Sequence, residues 1–251
     1  MSIRRLTLQE WFLCHQLAHI DRTHFHLDAW LEADMSTVRQ AWGEGSFPLS
    51  FILVKALALT LRHVPEARRQ YVRSLWGPRM LEAPGCAINV PVMLRFGTED
   101  YLSVTTVQDA DRKSVAEIQQ EIRAYRQTRQ QDLPVGRFII GKPNTLLNRN
   151  RLRLIHAVIN AFPQLQDQRG VGLASVSSLL NLDHAGSSLV LNGRGPGCIS
   201  LTASHFDAAS RRIRLALAFD HYAASGLTMA RAGTTLCRIL QAELEPEELL
   251  K

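Results

Sequence analysis

The sequence predicts an α+β fold: a mixed or antiparallel sheet with helices packed on it, forming one domain over residues 1–251. Three observations carry this. Cys86, Ile88, Val90, Val92, Leu94 and Phe96 alternate with other positions, as do Ile213, Leu215, Leu217 and Phe219, which is the period of a strand with one buried face. Ser114 and Glu117 have capping-box spacing, and Val115, Ile118, Ile122 and Tyr125 recur behind them at helical steps. Finally, strands follow one another through short turns such as Gly97–Asp100 instead of alternating one by one with helices.

Taken in chain order, Thr7 and Glu10 form a first capping box, and the spacing predicts a helix over Leu8–Ile20. Phe25, Leu27, Ala29, Leu31 and Ala33 predict a strand, and Thr37–Trp42 a short helix. Residues 48–64 form a long apolar helix that Pro65 stops, because a residue before proline is driven out of the helical region. A basic stretch holds Arg68, Arg69 and Arg73. The strand Cys86–Phe96 turns into a second strand through Leu102, Val104 and Thr106, and the helix capped by Ser114 runs to about Arg129. Residues 132–150 read as irregular, then Arg151–Phe162 as a helix whose Leu152, Ile155, His156 and Ile159 face the core, a partner or a lipid surface. Val171–Leu180, Ser188–Asn192 and Cys198–His205 read as strands, Asp207–Ser210 as a turn, and Leu227–Leu240 as a closing helix before a frayed acidic tail.

With 46% apolar and 21% charged residues the composition is that of a globular chain. The longest apolar run, Phe47–Leu61, is too short for a bilayer and contains Lys55, so no transmembrane segment is expected. Leu6 to Glu10 opens no signal-peptide core. The four cysteines are far apart without a CxxC pair, which points to a reducing, cytoplasmic setting and away from a disulfide framework or zinc ribbon. The net charge of +6 reads first as a compositional bias toward arginine and second as a surface that suits an anionic ligand. Its arginines are scattered without interleaved aromatics, so nucleic acid is not an expected partner.

The segment richest in chemistry is Leu215–Gly226, LALAFDHYAASG: an alternating strand delivers Asp220 and His221 into a small-residue turn before a helix. A histidine at a rigid strand end is well placed as a base, since imidazole side chains exchange protons near neutral pH. His184 is a rival base on another loop. His15 and His19 are four apart, but Gln16 stands where a zinc protease carries its glutamate, so these and His24 and His26 read as structural, with no metal. The glycines of NGRGPG lack the GK[ST] tail of a phosphate loop and read as a hairpin turn.

This segment resembles the DHxxxDG signature of dihydrolipoamide acyltransferase catalytic domains and the HHxxxDG of chloramphenicol acetyltransferase. FPLSFILVKALALTLRHVPEARR (Phe47–Arg69), INVPV (Ile88–Val92), TTVQDADRKSVAEIQQEI (Thr105–Ile122) and GLASVSSLL (Gly172–Leu180) resemble further segments of the dihydrolipoamide acyltransferases in the same order. The resemblance covers about residues 24–240 and is weakest over 130–170. It implies a chloramphenicol acetyltransferase-like fold. It also implies an acyltransferase in which His221 deprotonates a thiol, hydroxyl or amine of a small acceptor and the Ser177 hydroxyl, with Ser178 beside it, holds the oxyanion. Asp220, Tyr222 and Ser225 would bind substrate or brace the loop, Ser225 standing where the family has its aspartate. That departure leaves an alternative open, a catalytically inactive scaffold or binding relative of the same fold. The resemblance further implies a homotrimer or a larger assembly of trimers, with histidine and serine supplied by neighbouring subunits. No cofactor would be tightly bound. With no lipoyl-type lysine hairpin or subunit-binding segment in the sequence, the expectation is a free-standing domain whose donor is acyl-coenzyme A or the phosphopantetheine thioester of an acyl carrier protein.

Overall fold

The computed structural model describes residues 6–23, 25–43, 46–74, 77–83, 85–96, 99–129, 132–133, 138–161, 174–178 and 199–251. Its elements are helix α1 (Leu8–Thr23), strand β1 (His26–Asp34), helices α2 (Ser36–Trp42) and α3 (Leu49–His63), strands β2 (Arg69–Ser74), β3 (Gly77–Glu82), β4 (Ile88–Phe96) and β5 (Glu99–Val107), helices α4 (Val115–Tyr125) and α5 (Leu146–Ala161), strands β6 (Ala174–Ser178), β7 (Ile199–Asp207) and β8 (Arg212–Asp220), and helices α6 (Gly226–Leu240) and α7 (Pro246–Leu250).

A six-stranded sheet runs in the order β1-β8-β7-β6-β4-β5, and β2 and β3 form a separate hairpin. The pairs β1/β8, β7/β8 and β4/β5 are antiparallel, whereas β6 lies parallel to both β4 and β7. The sheet is therefore mixed, as the alternation and the hairpins predict. Alternation assigns its two faces. Ile213, Leu215, Leu217 and Phe219 of β8, Ala174 and Val176 of β6, and Ile88, Val92 and Leu94 of β4 enter the core. There they meet α3, whose residues Ile52 to Leu61 are all buried. A helix buried on all sides is the expected outcome of a sequence apolar on all sides. Helices α4 and α6 pack beside it. Gly233 lets α6 come close to the sheet, since a Cβ there would stand 3.4 Å from the Leu31 side chain.

Capping fixes the helix starts. Thr7 and Glu10 exchange backbone and side-chain hydrogen bonds at 2.9 and 3.2 Å, and Ser114 and Glu117 do the same at 2.7 and 3.2 Å. Val64, before Pro65, leaves the helical region at φ −124°, ψ 75°. Lys55, fully buried in α3, donates to the carbonyls of Asp111 and Lys113, both at 2.7 Å, and so ties α3 to the turn before α4.

Several expectations need correction. The basic stretch after Pro65 is a short 3-10 turn followed by β2, which pairs with β3; the hairpin is built from six-residue strands. Helix α4 stops at Tyr125, and residues 146–150, read as irregular, are the first turn and more of α5. The acidic tail is ordered: Leu249 of α7 is buried, and Glu245 pairs with Arg62 and with His63, the latter at 2.8 Å. Its apolar Leu249 and Leu250, overlooked beside the glutamates, anchor it. The strand at Ser188–Asn192, His184 and the NGRGPG turn lie outside the described residues, as do the ends of the strand proposed for Val171–Leu180. No described helix is long and apolar enough to cross a membrane.

Candidate active site

Strand β8 carries the candidate histidine out of the core. Its register with β1 runs from Asp34 opposite Arg212 to His26 opposite Asp220. The ladder then continues one further rung, because the His221 backbone N–H donates to the Phe25 carbonyl at 2.6 Å. Asp220, only 1% exposed, closes the following turn: its carbonyl accepts from Ala223 and Ala224 at 3.0 and 3.1 Å, and its Oδ1 accepts from the Tyr222 N–H at 3.0 Å. The turn is thus braced from within, and His221 sits exposed on it.

The imidazole Nδ1 stands 3.2 Å from the Ala224 carbonyl oxygen. A carbonyl only accepts, so in this contact Nδ1 is the donor and Nε2 faces away from the turn. Phe25 and Phe219 flank the ring at centroid distances of 5.9 and 6.2 Å. Tyr222, half-exposed, lies against Phe25 and against Tyr71 of β2, the latter at 5.1 Å. The β2–β3 hairpin therefore forms one wall beside the histidine. Neither Phe25 nor Tyr71 figures among the sequence-derived site residues. The Gly77-Pro78 dipeptide that opens β3 is the signal that marks this hairpin in the sequence.

Ser225 is the N-cap of α6, its Oγ accepting from the Thr228 N–H at 3.2 Å. A serine is among the best residues for this position. Where the resemblance places a loop-bracing aspartate, this chain has a neutral hydroxyl capping α6.

Ser177 lies elsewhere. It is half-buried on β6, opposite Thr202 of β7, which in turn opposes Ala216 of β8. It faces away from the helices, with Ser175, whose hydroxyl donates to Ser200 at 2.9 Å. Ser178 ends the strand opposite Ala203. Two strand spacings of about 4.8 Å and four residues of about 3.3 Å put Ser177 roughly 16 Å from the end of β8. One protomer thus holds Asp220, His221, Tyr222 and Ser225 together and keeps Ser177 apart from them.

Among the described residues no group of three or more metal-ligating side chains converges. His15 stacks on Trp11 at 5.4 Å and approaches His156 at 5.2 Å, and His26 lies on β1; the placements of His24 and of the His19 side chain are not described.

No family model matches the chain, and no curated protein matches it in sequence. Solved structures do match along its whole length. The cubic core of a pyruvate dehydrogenase multienzyme complex covers 100% of this chain and 94% of its own at 16% identity, with a TM-score of 0.65. The chain has the fold of a dihydrolipoamide acyltransferase catalytic core. The truncated catalytic core of the 2-oxoacid dehydrogenase complex from Thermoplasma acidophilum matches at 16% identity and a TM-score of 0.63, covering 96% and 98% of the two chains. Azotobacter vinelandii dihydrolipoamide acetyltransferase, studied for a serine, a histidine and an asparagine in its catalytic mechanism, matches at 16% identity and 0.61, covering 100% and 94%. The fold expected from the resemblance is therefore the fold observed.

Proposed function

We propose that the protein transfers an acyl group from a thioester, carried by coenzyme A or by an acyl carrier protein, to a small thiol, hydroxyl or amine acceptor. The observation that carries this reading is the oriented imidazole: His221, fixed by the last rung of the sheet and by the Ala224 carbonyl, directs Nε2 outward from an aromatic-walled turn. The acyltransferase-core fold supports the choice of reaction.

In the mechanism, Nε2 takes the proton of the acceptor nucleophile as it attacks the thioester carbonyl. The tetrahedral oxyanion accepts a hydrogen bond from Ser177, an interaction typically worth about 3 kcal/mol. The carbon–sulfur bond then breaks, and the imidazolium returns its proton to the leaving thiolate. The roughly 16 Å between Ser177 and the end of β8 within one protomer means that the hydroxyl must come from an adjoining copy, and the functional unit is read as a trimer with sites at its subunit boundaries. Asp220 and Ser225 act on the turn, and Tyr222 with Tyr71 lines the approach to Nε2. The inactive-relative reading, which rests on the missing family aspartate, loses force because Ser225 already secures the start of α6.

A panel of acyl-coenzyme A and acyl-carrier donors, read with a thiol-reporting dye, tests the proposal. His221→Ala is expected to lose about 100- to 10,000-fold in turnover. Turnover unchanged by that substitution refutes the role of His221, and no thiol release from any donor favours the inactive relative.

A further inference from the structure

Helix α5 packs one face inward and, among the described residues, leaves the other unpartnered. Leu152 is fully buried and Ile155 packs on the core. On the opposite side Leu146, Leu147 and Leu154 are 70%, 78% and 66% exposed, and Val158 is 39% exposed. At about 100° per residue these four side chains and Ala157 share one face with the polar Asn150 in its middle, with Arg153 along one edge and Arg151 along the other. Isolated exposed leucines need no explanation, but four large apolar side chains on one helix face with charged borders mark an interaction face.

The borders say what kind of partner fits. Residues 138–161 contain no aspartate or glutamate but hold Lys142, Arg149, Arg151 and Arg153. Among the described residues, no carboxylate pairs with Arg149, Arg151 or Arg153. Their guanidiniums are instead laid over aromatic rings: Arg149 and Arg153 over Trp11 at 5.5 and 5.3 Å, and Arg151 over Phe138 at 5.4 Å. Cations held in place in this way offer fixed points to matching carboxylates, which suits a structured partner better than a fluid lipid surface. The face itself presents no aromatic side chain of the kind that anchors a helix in a bilayer interface.

We infer that the outward face of α5 docks an amphipathic helix with an apolar seam bordered by carboxylates. Resting on the acyltransferase reading, this partner is the acidic carrier protein that brings the thioester. Position favours it: α5 packs against β2, and Tyr71 of β2 touches Tyr222, the neighbour of His221. A carrier seated on α5 would thus stand next to the wall of the candidate site, with its acyl arm free to reach past the hairpin.

The test measures binding and turnover separately on the full chain. Fluorescence anisotropy with a dye-labelled acyl carrier protein is expected to show salt-sensitive binding to the wild type. Binding should weaken at least tenfold in Arg151→Glu/Arg153→Glu and in Leu147→Ser/Leu154→Ser, and stay unchanged in His221→Ala. The α5 variants should turn over acyl-coenzyme A as the wild type does and lose only carrier-dependent turnover. Wild type that does not bind the carrier at low salt, variants that bind it as tightly as wild type, or uptake by phosphatidylglycerol vesicles in its place each overturn the docking proposal. None of these results touches His221-dependent thiol release from acyl-coenzyme A, whose absence would instead defeat the reading on which the carrier assignment rests.

Discussion

Replacing Lys55 by methionine probes how the helix layer is tied to the loop before α4. The ammonium is fully buried and donates to the carbonyls of Asp111 and Lys113 at 2.7 Å each, with Glu248 at 3.9 Å. Methionine keeps most of the volume but removes both donors. Hydrogen bonds to a charged group contribute about 1.5–3 kcal/mol each, and relief from burying the ammonium offsets part of their loss. A net destabilisation of about 3 kcal/mol follows, which in a chain of this size lowers the melting temperature by about 6–12 °C. Burial holds the lysine below its ordinary value of 10.5, an effect that Glu248 opposes and Arg62 reinforces. The unfolded chain therefore binds the extra proton just below 10.5, and this residue makes stability rise with pH through that window. Subtracting the Lys55→Met curve from the wild-type curve isolates the contribution. Calorimetric melting between pH 7 and 10.5 measures both quantities. A midpoint lowered by less than 2 °C, or a difference curve falling with pH, would refute the reasoning.

Two further outcomes are expected. Ser225→Ala should cost about 1 kcal/mol of stability, whereas Ser225→Asp, which keeps an N-cap acceptor, should cost almost none; urea titrations with unchanged slope would show this, and equal losses in both variants would exclude the capping role. Cys14 is exposed, whereas burial, with Asp111 adding to it, pushes the Cys86 thiol up to about 11. A thiol reagent at pH 8 should therefore modify Cys14 first and Cys86 only on unfolding, with mass spectrometry of the labelled peptides as the readout.

Much of the fold is legible in the residues because local patterns here agree with tertiary packing. The strict alternation of Cys86–Phe96 and Ile213–Phe219 and the two capping boxes mark elements that form where the pattern places them. Misreadings occur where that agreement is weak. The hairpin of β2 and β3 is rich in arginine and lies outside the main sheet, so no apolar alternation announces it. The first turn of α5 exposes Leu146 and Leu147, so its pattern does not look like a core-facing helix. The position of His221 at a strand end follows from the sequence, and the fold likeness extends to the whole chain. The aromatic wall does not follow, since Tyr71 and Tyr222 lie far apart in sequence and meet only through the tertiary arrangement.

The rung between His221 and Phe25 joins segments 196 residues apart. Closing so long a loop is among the slower steps available to a chain of this topology. A one-residue slip in that pairing would send every side chain of β8 to the wrong side of the sheet. The imidazole is therefore seated only when β1 and β8 have found each other in the correct alignment, so recovery of the proposed His221-dependent thiol release during refolding would report completion of the whole architecture and not of any fragment.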